Sequence, residues 1–171
     1  YVTGVINKFG YIVDKYEIWN EINIPAYNKN GATNADYVEI CKITKEIINE
    51  LDPSAVVYGC AAANCETTGG YSQNTIDFIK DVFYNLEGYK YMDGISVHTY
   101  VEGIPERSLG EYASTPKDRL IIDLKDWLNQ IGFSDIPVIS SEYGVSGSGD
   151  KAAEYAVRYF LIHTEDLEEI Y

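Results

Sequence analysis

Residues 16–28 read YEIWNEINIPAYN. Tyr16–Trp19 is a short run of strand-forming side chains, and Asn20-Glu21 follows directly where that run ends. Comparable runs lie at Ala55–Tyr58 (AVVY), Gly94–Val97 (GISV) and Pro137–Ile139 (PVI), so the starts fall 39, 39 and 43 residues apart. Short apolar strands separated by helical stretches at this spacing predict repeated βα units with parallel strands, an α/β fold.

The intervening helices follow from periodicity and end signals. Tyr37, Ile40, Cys41, Thr44, Ile47, Ile48 and Leu51 recur at helical spacing. Thr33 and Asp36 predict a capping box at that helix's start, and Asp52-Pro53 predicts its end. Ile76, Ile79, Phe83 and Leu86 form a second stripe. Thr115-Pro116-Lys117-Asp118 predicts another helix start, with a capping hydroxyl, Pro at the first helical position and an acid two positions on. Leu120, Leu124, Trp127, Leu128 and Ile131 follow it on one face. Asp150 is expected to cap a last helix carrying Ala153, Ala156, Val157 and Phe160, and Val2–Lys8 reads as the tail of a preceding one. The acidic run at 165–169 reads as a solvated helix face or frayed end, and His163 as a surface or partly buried side chain.

Two closures satisfy this pattern. An open doubly wound sheet places helices on both faces, whereas a (β/α)8 barrel needs eight such units and about 250 residues. At roughly 40 residues per unit, the 171 residues hold about four. In both closures ligands gather beyond the carboxyl ends of the strands. Those ends carry Trp19-Asn20-Glu21, His98-Thr99-Tyr100 and Ser140-Ser141-Glu142-Tyr143-Gly144. Two carboxylates, an amide, an imidazole and aromatic rings therefore meet on one rim.

That set of groups suits glycosidic bond cleavage. One carboxylic acid protonates the leaving oxygen, while a second carboxylate attacks the anomeric carbon or activates a water. Placing the two in one cleft lets the charge on one hold a proton on the other. The bland reading is that Glu21 and Glu142 are two of 27 acidic residues, most of them simply solvated. His98 with Glu142 as metal ligands lacks a supporting HExxH or carboxylate–His pattern, and Gly147–Gly149 lacks the residues of a phosphate loop, so no metal or cofactor is called for.

Composition excludes other classes. The net charge of −14, from 13 basic and 27 acidic residues, argues against a nucleic-acid partner, whose phosphates demand Lys and Arg. No run of 18 apolar residues predicts a membrane span, and no basic-then-apolar leader opens the sequence. Tyrosine, at 16 residues, offers flat apolar faces with polar tips, suited to sugar clefts and protein interfaces alike. Cys41 lies on a helical apolar face, while a Cys60–Cys65 bridge is left open by their spacing.

The ordered motifs carry a family resemblance. YEIWNEINIPAYN resembles the acid/base motif at the end of strand four in glycoside hydrolase clan A, a group of retaining (β/α)8 barrels. ISVHTY resembles the strand-six motif, and ISSEYG the nucleophile motif of strand seven. The wording is nearest to glycoside hydrolase family 39 and related endo-glycosidase-like proteins, and the resemblance covers about Tyr16 to Gly144. It implies a single partial catalytic barrel domain over 1–171, with strands four to seven present and strands one to three and eight missing. It implies Glu21 as general acid/base and Glu142 as nucleophile of a retaining hydrolysis of β-linked poly- or oligosaccharide. Asn20 would bind the sugar 2-hydroxyl, His98 and Tyr100 would line that subsite, and Tyr100 would orient Glu142.

Trp19 would pack under the strand end or touch sugar, Tyr143 would stand at the rim, and Tyr27 and Tyr71 would be loop residues or stacking surfaces. Ile22-Asn23 replaces the usual Pro-Asn, and Thr99 stands where relatives often have Pro. The resemblance implies a carbohydrate substrate, no cofactor, and an extracellular or cell-surface location. A barrel segment with open edges also predicts self-association or completion by the missing half. The rival expectation is a carbohydrate-binding or assembly fragment without turnover.

Overall fold

The computed structural model describes residues 1–66, 73–101, 103–109, 113, 115–145, 149–164 and 166–170. Tyr71 and most of the Gly147–Gly149 segment lie outside them. Five strands, β1 (Lys15–Glu17), β2 (Val56–Ala62), β3 (Gly94–Val101), β4 (Val138–Val145) and β5 (Glu169–Ile170), pair in chain order, every pair parallel. The helices are α1 (Val2–Phe9), α2 (Asn34–Leu51), α3 (Thr75–Ile79, running on as a π-helix over Lys80–Asn85), α4 (Leu120–Gln130) and α5 (Asp150–Ile162). The strands form a curled half-barrel with its helix layer, part of an α/β (β/α)8 barrel. The doubly wound alternative is thereby set aside. None of the described helices is long and apolar enough to cross a membrane.

The helix expectations meet mixed outcomes. At α2 the capping box forms as read: Thr33 Oγ1 accepts from Asp36 N–H at 3.1 Å, and the Asp36 carboxylate accepts from Thr33 N–H at 2.8 Å. Tyr37, Cys41 and Ile48 are buried from that helix, whereas Leu51 is 39% exposed at its end. At the next predicted cap the hydroxyl plays no part. Thr115 Oγ1 is buried without a partner among the described residues, because the Asp118 N–H donates to Thr115 O at 3.1 Å, and only the reciprocal bond from Thr115 N–H to the Asp118 carboxylate forms. Residues Pro116–Arg119 form a 3-10 turn and the α-helix begins at Leu120. Gly149, not Asp150, sits at the N-cap of α5, at φ +58°, a conformation that favours glycine.

One further expectation is corrected, and the open question of the cysteines is answered. The end of the acidic run is not helical, since Glu169 pairs with Ile139 and Ile170 with Ser140 to add a short fifth strand. Leu167 is buried just before it. The start of a strand thus stands where strand eight was expected to be missing. The cysteines carry no bridge: none of Cys41, Cys60 and Cys65 is disulfide-bonded. Burial pushes the Cys41 thiol up to about 12 and the Cys60 thiol well above its ordinary value, so neither is a thiolate near neutral pH.

The core lies between sheet and helices. Val57, Ile95, Val97 and Val138 from the strands meet Tyr37, Phe78, Ile79, Leu124 and Leu128 from the helices. Phe83 packs on Phe133 at 5.2 Å and edge-on to Trp127 at 6.3 Å, closing the layer near the π-helical turn. The opposite, concave face carries a groove lined by Lys15, Glu17, Tyr58, Ile139 and Ser141. That face mixes the polar Lys15, Glu17 and Ser141 with Tyr58 and Ile139, whereas the helix side is apolar.

Candidate active site

The carboxyl ends of the strands are locally strained and heavily braced. Trp19, Glu21, Cys60 and Ala61 have φ of +70°, +46°, +77° and +40°. Each such non-glycine residue costs about 1–3 kcal/mol and persists only where the surroundings over-determine it. The bracing is visible. From α2, the fully buried Tyr37 hydroxyl donates to Ile18 O at 2.8 Å and accepts from Cys60 N–H at 2.9 Å, pinning the ends of β1 and β2. Glu21 N–H donates to Ala61 O at 2.8 Å. Buried Asn23 clamps the same ends: its side chain donates to Ala63 O at 3.0 Å and accepts from Ala63 N–H at 2.8 Å. The left-handed turn at 19–21 aims the Glu21 side chain back toward β3.

There it meets His98. The imidazole is fully buried, and Nδ1 lies 2.9 Å from Glu21 Oε1 and 3.7 Å from Glu142 Oε2. The Tyr100 hydroxyl donates to Glu142 Oε2 at 2.9 Å. Gly144 makes room for this contact, because a Cβ there would come within 2.7 Å of the Tyr100 ring. A shift in register between β3 and β4 at Val97/His98 sets Glu142 opposite His98. The donor atoms of Glu21, His98 and Glu142 all lie within 4.8 Å of one another. The His98–Glu21 and Tyr100–Glu142 contacts engage one such atom of each residue, so the trio reads as a proton-sharing network. Burial alone would push His98 down, but Glu17, Glu21 and Glu142 together outweigh it and hold the ring above its ordinary value of 6.5.

The other expected residues separate. Asn20 is half-buried between the two strained positions. Trp19 does not pack beneath the strand end: it is 53% exposed, and its indole N–H donates to Tyr27 O at 3.3 Å. Tyr27 is exposed on the same loop. Tyr143 is not grouped with the carboxylates. Its ring stacks on Tyr159 of α5 at 4.4 Å and edge-on to Phe160, on the helix side of β4. Thr99 also faces that side, bonded to Ser140 at 2.6 Å and to Tyr159 at 2.5 Å.

Glu17 and Asn23 were passed over in the sequence. Glu17 accepts from Ser141 Oγ at 2.6 Å and stands 3.9 Å from His98 Nε2. Burial would raise its carboxyl, yet His98, Ser141 and Ser96 bring it below the usual carboxylate value. A carboxylate inside an apolar strand run is the signal that could have found it, since a charge at the edge of a core persists only with partners.

No protein-family model matches the chain, and neither does any curated protein. Solved structures do. A family 39 β-xylosidase from Caulobacter crescentus has a TM-score of 0.66 at 18% identity, with 99% of this chain and 35% of that one covered. A family 44 xyloglucanase from Paenibacillus polymyxa has a TM-score of 0.73 at 12% identity, covering 99% and 44%. A family 44 endoglucanase from Clostridium thermocellum has a TM-score of 0.70 at 16% identity, covering 99% and 45%. The chain therefore spans less than half the length of these glycoside hydrolases, and at such identities the likeness establishes the shared fold.

Proposed function

We propose that the chain carries the central part of a glycoside hydrolase site, acting on a β-linked poly- or oligosaccharide with retention of configuration. One observation carries this reading: oxygens of Glu21, just past β1, and Glu142, in the second half of β4, lie within 4.8 Å, with His98 and Tyr100 contacting them. Retaining enzymes hold their carboxyl groups about 5–5.5 Å apart, whereas inverting ones leave about 6.5–9.5 Å for a water. Glu142 attacks the anomeric carbon as Glu21 protonates the departing oxygen, and the C–O bond to the leaving group breaks. Glu21 then takes a proton from water, whose oxygen displaces Glu142 and releases the sugar. Tyr100 holds Glu142 in line through its hydrogen bond. Asn20, next to Glu21, is assigned to the sugar 2-hydroxyl, and exposed Trp19 and Tyr27 to the rim. The substrate class supports an extracellular or cell-surface location.

A second reading, glycan binding without turnover, is favoured by the small share of the neighbours' length that the chain spans. Among the described residues β1 has no strand on its outer edge and β5 is two residues long. Such edges favour pairing with further strands, from more of the polypeptide or from a second copy. Aryl β-glycosides decide between the readings. Release of aglycone with the β-anomer formed first in proton NMR supports retention, α-anomer first refutes it, and saturable sugar binding without release supports the second reading. Sedimentation at micromolar concentration tests association, and a well-folded monomer counts against it.

A further inference from the structure

We propose that Glu17 is a positioning residue that keeps a proton on His98 Nε2, leaving Nδ1 as the ring atom that exchanges a proton with Glu21. The proposal deepens the glycosidase reading and rests on it for its catalytic meaning. His98 is completely buried, so each of its ring nitrogens needs a complementary neighbour. Nδ1 has one in Glu21 at 2.9 Å. Nε2 has no hydrogen-bond partner among the described residues, and the polar group it faces is Glu17 Oε1 at 3.9 Å. That distance is an ion-pair contact, too long for a hydrogen bond. Glu17 is fixed there by the 2.6 Å bond from Ser141 of β4.

The tautomer follows from these contacts. A neutral ring protonated at Nδ1 would turn the Nε2 lone pair toward the Glu17 carboxylate, anion against lone pair. A ring protonated at Nε2 meets Glu17 favourably, and its Nδ1 is free to accept from Glu21 or to carry a second proton. The charged groups around the ring are Glu17 on β1, Glu21 just beyond it, and Glu142 on β4, which Tyr100 of β3 also contacts. Lys15 lines the groove that Glu17 lines. Three carboxylates around one imidazole also keep it above its ordinary value.

With Nε2 protonated, the proton of the Nδ1–Glu21 contact resides on either atom. On Nδ1 it gives an imidazolium beside a carboxylate. On Glu21 it gives the carboxylic acid that protonates a leaving oxygen, with the N–H bond breaking as the O–H bond forms and no net proton consumed. The Nδ1-protonated neutral ring cannot take a proton from Glu21, so Glu17 selects the tautomer that does. The relation is that of an outer carboxylate fixing which ring nitrogen carries the proton.

The test is a pH titration of the 15N-labelled full chain, reading both ring nitrogens of His98 in long-range 1H–15N spectra. Nε2 is expected to stay protonated throughout while Nδ1 titrates. Glu17→Gln should lower the His98 midpoint by about one pH unit and populate the neutral Nδ1–H form. His163, the other of the two histidines, should keep its midpoint in that variant. A neutral wild-type ring protonated at Nδ1, or superimposable His98 curves in the two proteins, overturns the proposal. If Glu17→Gln fails to fold, the wild-type spectrum still decides, because it reports the tautomer directly. The expected tautomer in a chain that cleaves no aryl glycoside supports the role of Glu17 and overturns the glycosidase reading alone.

Discussion

His98 and His163 are both fully buried, yet they sit in opposite electrostatic worlds. His98, at the carboxyl end of β3, is flanked by Glu17, Glu21 and Glu142. His163 follows α5 within the helix layer, where Nε2 lies 2.6 Å from Ser108 Oγ and Nδ1 3.2 Å from Asp166. Tyr159 packs on its ring at 4.7 Å. Burial pushes both imidazoles down. At His98 three carboxylates reverse that push, whereas at His163 burial prevails over a single, partly exposed Asp166. Serine, histidine and aspartate at His163 resemble a nucleophilic triad in outline, but Ser108 is buried and also donates to Pro105 O at 2.7 Å, as a structural tie would. Burial is common to both histidines; convergence of carboxylates sets His98 apart.

The largest effects should separate the rim from the layer outright. On the proposed glycosidase reading, Glu142→Ala is expected to reduce hydrolysis to background. Glu21→Ala should cost about 10²–10⁴-fold on sugars with poor leaving groups and far less on activated aryl glycosides. Steady-state kinetics on the two substrate types checks both, and ordinary turnover by Glu142→Ala breaks the assignment. Tyr100→Phe should come next, with about tenfold lower kcat and an unchanged melting temperature. It removes one hydrogen bond to a charged group at a position 47% exposed.

The layer should answer in stability instead. Ser108→Ala leaves a polar atom of buried His163 without its partner and is expected to cost about 1–3 kcal/mol in urea unfolding. Turnover per folded molecule and the His98 titration should not move; a shifted His98 midpoint would show the two regions to be coupled. The smallest effect is the pH dependence of stability, where the two histidines oppose each other. His98 is raised, so its contribution is complete below 6.5 and fades as pH climbs through its folded value. His163 is lowered, so its contribution is present above 6.5 and is lost as pH falls through its folded value. Glu17 is lowered too, and its share is present above 4.5 and lost on further acidification. Urea midpoints from pH 4 to 9 test the signs: His163→Gln should flatten the fall just below 6.5, and Glu17→Gln should flatten the loss above it.

Features set by neighbours in sequence were legible. The α2 capping box needs only Thr33 and Asp36, three residues apart, and both bonds form. The four strand runs needed only their apolar character, although their bounds moved, β1 to Lys15–Glu17 and β3 to Gly94–Val101. The same reading put Glu21 past β1, as found, and Glu142 past the fourth strand, whereas β4 runs on through it to Val145. Other features depend on partners distant in sequence. β5 is two residues whose pairing is defined only by β4. Tyr143 looked like a rim residue until α5 supplied Tyr159 for it to stack on. The Thr115 hydroxyl has no capping role because the Asp118 N–H it would accept from instead closes a 3-10 turn onto Thr115 O at 3.1 Å.

By itself, then, the sequence determined the parallel βα repeat and which strand ends carry carboxylates, because apolar period and short-range capping are local properties. Only the tertiary structure decided that Glu17 joins Glu21 and Glu142 around His98. It did so through the register shift at Val97/His98 and the left-handed turn at 19–21, braced by Tyr37 and Asn23. Electrostatic coupling falls with distance through space, and residues 17, 98 and 142 become neighbours only when three strands are laid side by side.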